Sequence, residues 1–353
     1  MTSVPLPFYI RATVMLLGLA LLLAFLYIGR EILIPIAFAI LLSVLLYPVH
    51  RFLENRLRFP RLLAITITLV ITTLFLTLII FFIGFQLSNF IDDLPRIRTS
   101  VVAAYRVFQT WITSAFGISL QQQSRWLSGL ASGGMEMVSL TASAALDIGI
   151  AATLIPIYVF LFLLYKELLM EFIVKVFGGT DKSRMTEILH GTRFILQRYV
   201  VGLLIETGIV AVLNCAVLLL LGIEYAILFG ILAAVLNLIP YIGIFIGCLL
   251  PAAMALITKD TLWYPAGVVL TFAVIQFIDN NLIVPNVVGS HISLNSIAAV
   301  IAVLVGAQLW GISGMFLSLP FVAVLKVIFD HVPSLEPWGK VLGDKQPALQ
   351  RRA

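Results

Sequence analysis

The chain has 353 residues, of which 61% are hydrophobic and only 11% charged. Soluble domains carry about a quarter charged residues, so this composition excludes an ordinary soluble enzyme and indicates a polytopic α-helical membrane protein. The formal net charge is +5, but the basic residues gather in short loops with no basic, aromatic-rich surface, which argues against nucleic-acid binding.

Residues 8–29 are the first apolar stretch. They carry Arg11 and lack a small-residue cleavage site, so they read as a retained span rather than a signal peptide. After a turn at Arg30-Glu31, residues 32–49 form a second span, with Pro35 near its start and Tyr47-Pro48 near its end. The loop at 50–61 sets four arginines against one glutamate. By the positive-inside rule it is cytoplasmic, and so is the N-terminus two crossings earlier. Residues 62–85 are a third span. Its threonines (Thr66, Thr68, Thr72, Thr73, Thr77) can bond back to helix carbonyls and so tolerate lipid.

Residues 86–147 differ. Arg96, Arg98, Arg106 and Arg125 balance Asp92, Asp93, Glu136 and Asp147. Leu94, Ile97, Val101, Tyr105, Phe108, Ile112 and Ala115 recur at steps of three and four, which predicts an amphipathic helix. A second is expected over 121–130, with Trp126, Leu127 and Leu130 on one side. Both read as extracytoplasmic, lying on the membrane, packing on the bundle or pairing with another subunit. Residues 148–165 return to the cytoplasm. The segment 166–198, interrupted at Gly178-Gly179, carries six basic and four acidic residues. Residues 199–222 are the fifth span and contain Glu206 and Asn214.

The remainder is apolar but broken. Residues 225–258 are uncharged and interrupted by Asn237, Pro240, Gly243, Gly247 and Pro251. Residues 261–278 are another uncharged run. The polar stretch 279–289 follows, and 296–329 is broken near 311–314. The tail, 331–353, is basic, rich in proline and glycine, and expected to be cytoplasmic and poorly ordered. Cys215 and Cys248 lie in apolar runs and read as buried free thiols. With no metal-ligand cluster, phosphate-binding glycine loop or ATP motif in the sequence, no cofactor is expected.

The expected fold is therefore an all-α polytopic integral membrane protein. It has about eight hydrophobic passes, including two re-entrant helical hairpins, and amphipathic extramembrane helices. The hairpins are placed at 225–257 and around 279–309, with ordinary kinked helices as the alternative. The organisation reads as 1–85 N-terminal helices, 86–147 amphipathic segment, 148–330 core with hairpins and 331–353 tail.

A helix that stops inside a membrane leaves unpaired amides and carbonyls, which with nearby Asn or Gln side chains can hold a polar solute or cation. On that argument Asn237, Pro240, Gly243, Gln276, Asp279, Asn280, Asn281, Pro285 and Gly289 are the candidate binding residues. The plainer account is that proline and glycine kinks are common in membrane helices and that asparagines bridge helices structurally. Asp279 can bind a cation, accept a proton or contact a hydroxylated solute. It can equally cap the amides of Asn281 or Leu282 at a helix end. Glu206 can titrate, or pair with Arg198 two turns earlier. Gln276, Asn214, Gln308 and His291 also read as interhelical hydrogen-bond partners. Gly311-Ile312-Ser313-Gly314 could present a nucleophilic serine, but His331 lies roughly 27 Å farther along one helix. Small residues for close helix contact explain that stretch better.

Three ordered motifs carry a resemblance. They are Leu236-Asn237-Leu238-Ile239-Pro240-Tyr241-Ile242-Gly243, the run Asp279-Asn280-Asn281-Leu282-Ile283-Val284-Pro285-Asn286-Val287-Val288-Gly289, and Gly311-Ile312-Ser313-Gly314-Met315 leading to Leu319-Pro320. Ile34-Pro35 and Leu45-Leu46-Tyr47-Pro48 add a looser N-terminal match. In these the chain resembles the autoinducer-2 exporter family of bacterial membrane proteins. The resemblance implies a bacterial inner-membrane transporter with two helical hairpins around the substrate path, elevator-like movement and homo-oligomers, pentamers among them. It implies as partners the lipid bilayer and a small polar solute such as autoinducer-2. Because some members resemble sodium or lithium/proton antiporters, a cation is the alternative cargo. A non-transporting structural or regulatory membrane protein is the third class. Two positions depart from the family's pattern: Leu203 follows Gly202 where members often have glutamine, and Asp279 stands where glutamate is common.

Overall fold

The computed structural model describes residues 7–93, 113–114, 153–177, 182–238, 242–259, 261–288 and 294–343. The described residues are almost entirely helical, with one isolated β-bridge between Leu294 and Gly343 and no strand. The protein is an all-α polytopic membrane protein. Five stretches are long and apolar enough to cross a membrane: Arg30–Asn55, Arg61–Phe90, Met185–Leu220, Trp263–Val287 and Ser296–His331. Large apolar side chains on them stay exposed, among them Leu74, Phe75 and Phe81. Such surface is the mark of a helix solvated by lipid or by another apolar surface.

In chain order the helices are α1 (Phe8–Ile28), α2 (Arg30–Asn55) and α3 (Arg61–Asp92), then α4, described over Thr153–Leu164, and α5 (Lys166–Phe177). They continue as α6 (Lys182–Leu220), α7 (Ala226–Asn237), α8 (Ile242–Thr258) and α9 (Trp263–Ile278). A π-helical turn, Asp279–Ile283, leads into α10 (Val284–Val287). The chain ends with α11 (Ser296–His331) and α12 (Glu336–Leu342). Several elements outrun their expected ends. The second and third spans extend to Asn55 and Asp92, and the fifth begins at Lys182, because the charged flanks are good helix formers and simply continue the helix. Thr66, Thr68 and Thr72 donate to the carbonyls of Leu62, Ala64 and Thr68 at 2.8–2.9 Å, as their position in an apolar helix predicts. The two amphipathic helices expected within 86–147 lie outside the described residues.

The chain forms two compact units. The first comprises Met1–Pro48, Tyr158–Tyr199 and His291–Ala353. Its main feature is α11, which is not one rod. Trp310 has φ −133° and Gly311 φ +60°, and at this point the chain folds back on itself. A left-handed φ costs a non-glycine residue roughly 1–2 kcal/mol, so glycine belongs there. The fold-back brings Gly306 and Gly314 into backbone contact: a Cβ on either would run into the other's carbonyl. The arm before the turn is then roughly 21 Å long, short of the ~30 Å needed to cross the hydrocarbon. The second hairpin thus turns at Trp310-Gly311 rather than within 279–309. The motif read as a small-residue contact is its tip. Trp310 Nε1 donates to the Leu26 carbonyl at 2.8 Å, using one of the acceptors left over at the end of α1. Phe38 of α2 stacks on Phe316 at 5.7 Å.

The expected loose tail is in part ordered in this unit. Asn295 caps α11 by accepting from Ala298 N at 2.7 Å, and its side-chain amide donates to the Val341 carbonyl. Its backbone N–H donates to Leu342 at 2.9 Å, and Gly339 lies against the Asp330 carboxylate. α12 thus fastens the two ends of α11 together.

The second unit comprises Val49–Ile157 and Val200–Ser290. Here α7 and α8 form an antiparallel hairpin, the one expected over 225–257. Gly243 faces the Leu236 carbonyl and Gly247 faces Ala233, with room for no side chain at either glycine. α7 has 12 residues, roughly 18 Å, again too short to cross. Leu218, Ile223, Ala226, Phe229, Ala233, Met254, Ala255, Val268 and Phe272 form one buried apolar cluster around it. Cys248 packs against this cluster, and Cys215 Sγ lies 3.6 Å from the Ile227 carbonyl. Both cysteines are free and half-buried.

Candidate functional site

Within the second unit, Asn237 ends the first arm of the hairpin, and Asp279 begins the π-helical turn that follows α9. A π-turn widens the helix by one residue and re-aims its side chains, a device frequent at functional sites. Asn237 Nδ2 donates to Asp279 Oδ2 at 3.0 Å, and Gln276 Nε2 reaches the same oxygen at 3.4 Å. Gln276 also donates to Asn280 Oδ1 at 3.1 Å. Asp279 is 1% exposed, and its Oδ1 has no hydrogen-bond partner among the described residues. It does not cap the amides of Asn281 or Leu282: it sits in continuous helical backbone, buried, with its carboxylate held by side chains.

Beside it is a cavity of about 20 Å³ lined by Val210, Asn214, Ala233, Asn237, Gly243, Gly247, Phe272, Ile275 and Gln276. That volume holds one water or a small cation. Asn214, 3% exposed, lines it with a carbonyl oxygen that also lacks a partner among the described residues. Among the described residues that oxygen makes no interhelical bond. Glu206, 8% exposed, lies close enough to Asp279 for the two carboxyl groups to interact electrostatically. Arg198, the partner considered for Glu206, instead has its guanidinium over the Phe194 ring at 4.9 Å. An apolar shell of Val210, Ala234, Ile275 and Ile283 closes round the group.

The structure thus gathers Asn237, Gln276, Asp279 and Asn280, with Gly243 and Glu206 beside them. Asn281 and Pro285 are exposed, and Asn281 donates to the Phe277 carbonyl at 2.8 Å, a local helix bond. Pro240, Gly289 and His291 lie outside the described residues. Gln308 is exposed on α11. Gly202 of α6 is pressed against the Val287 carbonyl, which a Cβ would approach to 2.7 Å, so α6 and α10 meet closely. Gly247, expected as a break in the run 225–258 but not among the candidate binding residues, also lines the cavity. Its signal was a small residue one turn after Gly243, opposite Ala233.

Two buried carboxyl groups, amide donors fixed on one of them, and two buried oxygens without partners among the described residues can hold a cation or proton, or the hydroxyls of a polar solute. Placed between a short hairpin and an interrupted membrane helix, they define a class: an integral membrane transporter of the all-α, hairpin-containing kind. Residues 16–334 match the family model described as AI-2E family transporter, and the chain belongs to that family. Relatives include YrrI of Bacillus subtilis (strain 168), named as a candidate transport protein, 27% identical over 86% of this chain and 87% of the relative. The AI-2 transport protein TqsA of Escherichia coli (strain K12) is 25% identical over 95% and 96%. YhhT of the same organism, also named as a candidate transport protein, is 21% identical over 94% of each chain.

Proposed function

We propose that this transporter moves a small polar solute such as autoinducer-2 out of a bacterial cell across the inner membrane. Asn237, Gln276, Asp279 and Asn280 contact the solute as the hairpin Ala226–Thr258 opens. The observation that carries this reading is the hydrogen-bonded Asn237–Asp279–Gln276 group, with Asp279 buried and the two amides half-buried, beside oxygens of Asn214 and Asp279 that have no partner among the described residues. Pro240, Gly243 and Gly289 act through the backbone, and Asn281 and Pro285 at the outer edge of the same path. At about 20 Å³ the cavity is far smaller than a sugar-like solute, so binding such a solute requires the hairpin to move. The name of the relative TqsA supports autoinducer-2 as the first solute to test. Elevator-like movement fits a chain that divides into two compact units, each with its own hairpin. The exposed apolar faces of α1 and α3 suit both lipid and a homo-oligomer, a pentamer among the forms the family resemblance implies. Both termini are taken as cytoplasmic, and the chain acts as a carrier rather than an enzyme.

A second reading is supported by the cavity's size and its oxygen lining. A sodium or lithium ion fits where the solute does not, with Asp279 and Glu206 exchanging it for a proton. Purified protein in vesicles separates the two. Solute export lost on Asp279→Ala and Asn237→Ala supports the first; proton release on adding sodium or lithium, without solute flux, supports the second. Full flux in both variants overturns the site assignment.

A further inference from the structure

Outside the candidate site, the first unit carries a second polar cluster. Lys166 Nζ lies 3.8 Å from the centroid of the Tyr47 ring, and Arg193 Cζ lies 3.6 Å from the same centroid. The three residues come from the end of the apolar part of α2, from the start of α5 and from the first third of α6. All three side chains are half-buried. Both cations are thus within ~4 Å of one ring, a distance at which the ring quadrupole attracts each of them. The ring does not relieve their mutual repulsion. Among the described residues no carboxylate lies within ion-pair distance of either, whereas Lys175, Lys326 and Lys340 each have one.

The surroundings indicate what an anion here would be attached to. Leu161, Tyr165 and Leu168, at helical spacing around Lys166, are exposed, and so is Phe194 next to Arg193. A free phosphate has no use for such a surface, but an acyl chain does. Lys and Arg on an apolar wall at the end of spanning helices is also the arrangement by which membrane proteins hold anionic headgroups. We propose that Tyr47, Lys166 and Arg193 form a binding site for the phosphate of an anionic phospholipid, whose chains lie along Leu161, Leu168 and Phe194. Tyr47 sets the separation of the two cations, so that one phosphate reaches both.

The test uses the full chain in nanodiscs containing equal amounts of phosphatidylglycerol and phosphatidylcholine, with retained lipid read by native mass spectrometry after extraction. The expected result is retention of phosphatidylglycerol in preference to phosphatidylcholine. That preference should fall about fivefold for each of Lys166→Gln and Arg193→Gln. Lys166→Arg should keep it, and Lys175→Gln, which removes an exposed paired cation elsewhere on α5, should leave it unchanged. An equal fall with Lys175→Gln would show a general basic surface and overturn the site. So would complete displacement of the lipid by inorganic phosphate, which would make this a free-phosphate site. Unfolding temperature in detergent is read for each variant. Should Lys166→Gln or Arg193→Gln not fold, Tyr47→Leu carries the test: unchanged preference in that variant also overturns the proposal.

Discussion

Asn237 donates its side-chain amide to Asp279 across 3.0 Å, joining residues 42 positions apart at the end of a hairpin arm and the start of a π-turn. Without it Asp279 keeps, among the described residues, the longer contact from Gln276. Leaving a buried carboxylate short of donors costs about 1–3 kcal/mol. Asn237→Leu should therefore lower stability by that amount. Because the two residues touch, Asn237→Leu with Asp279→Leu should be less destabilising than the separate effects together, by about 0.5–3 kcal/mol. Denaturant unfolding of the four proteins in detergent measures this, and strictly additive effects would mean the bond contributes nothing.

Asn214 should behave in the opposite way. Its buried carbonyl oxygen has no partner among the described residues, so replacing it with an apolar group of similar size removes an unmet polar atom. Asn214→Leu is expected to leave stability within about 1 kcal/mol of the parent, or raise it, while reducing transport severely. A paired measurement of unfolding temperature and vesicle flux decides it. A large loss of stability with normal flux would make Asn214 a structural bridge.

The glycines divide into two groups by what surrounds them. At Gly243, Gly306 and Gly314 a Cβ would run into a carbonyl of the opposing arm. Alanine at each should destabilise by about 1–3 kcal/mol through overpacking. Gly18 and Gly84 have open space around them on α1 and α3. Alanine there should be neutral or stabilise by about 0.5–1 kcal/mol. The same unfolding assay across all five tests whether the hairpins are held by backbone contact.

Asn295→Ala removes both the cap on α11 and the tie to Val341. Loss of such a cap costs about 0.5–2 kcal/mol. The distinguishing sign is local: α12 should be released, so that trypsin cuts after Lys340 faster than in the parent. An unchanged cleavage rate would place the tail's hold elsewhere.

The sequence made the helices legible because a lipid-facing helix must be apolar on nearly every side, and runs such as 62–91 can be little else. The first hairpin was legible for the same kind of reason, since Asn237 through Gly243 interrupts an uncharged run. The second was displaced in the reading. The polar cluster at 279–289 looks like a break, yet its backbone continues through a π-turn because Asp279 and Asn280 find side-chain partners and Asn281 bonds back to Phe277. The reversal falls at Trp310-Gly311, at the break expected near 311–314, which the sequence did not mark as the turn of a hairpin. Asp279 was recognisable as a candidate, but its environment was not. Which donor meets a carboxylate depends on tertiary placement, and nothing local to Asp279 points to Asn237. The paired cations on Tyr47 were equally hidden, because they come from three separate stretches of chain.

The indole of Trp310 bonds a carbonyl 284 residues earlier, and the unit containing both is assembled from three separate stretches, Met1–Pro48, Tyr158–Tyr199 and His291–Ala353. During synthesis α1 and α2 are made long before the last of these stretches, and the second unit, whose residues end at Ser290, is complete before that stretch emerges. The first unit therefore closes last, and a ribosome that stalls before His291 leaves Leu26 without Trp310 and Phe38 without Phe316. Long-range closure of that kind is slow and exposed to misassembly. Quality-control proteases of the membrane would meet this protein chiefly through its first two helices.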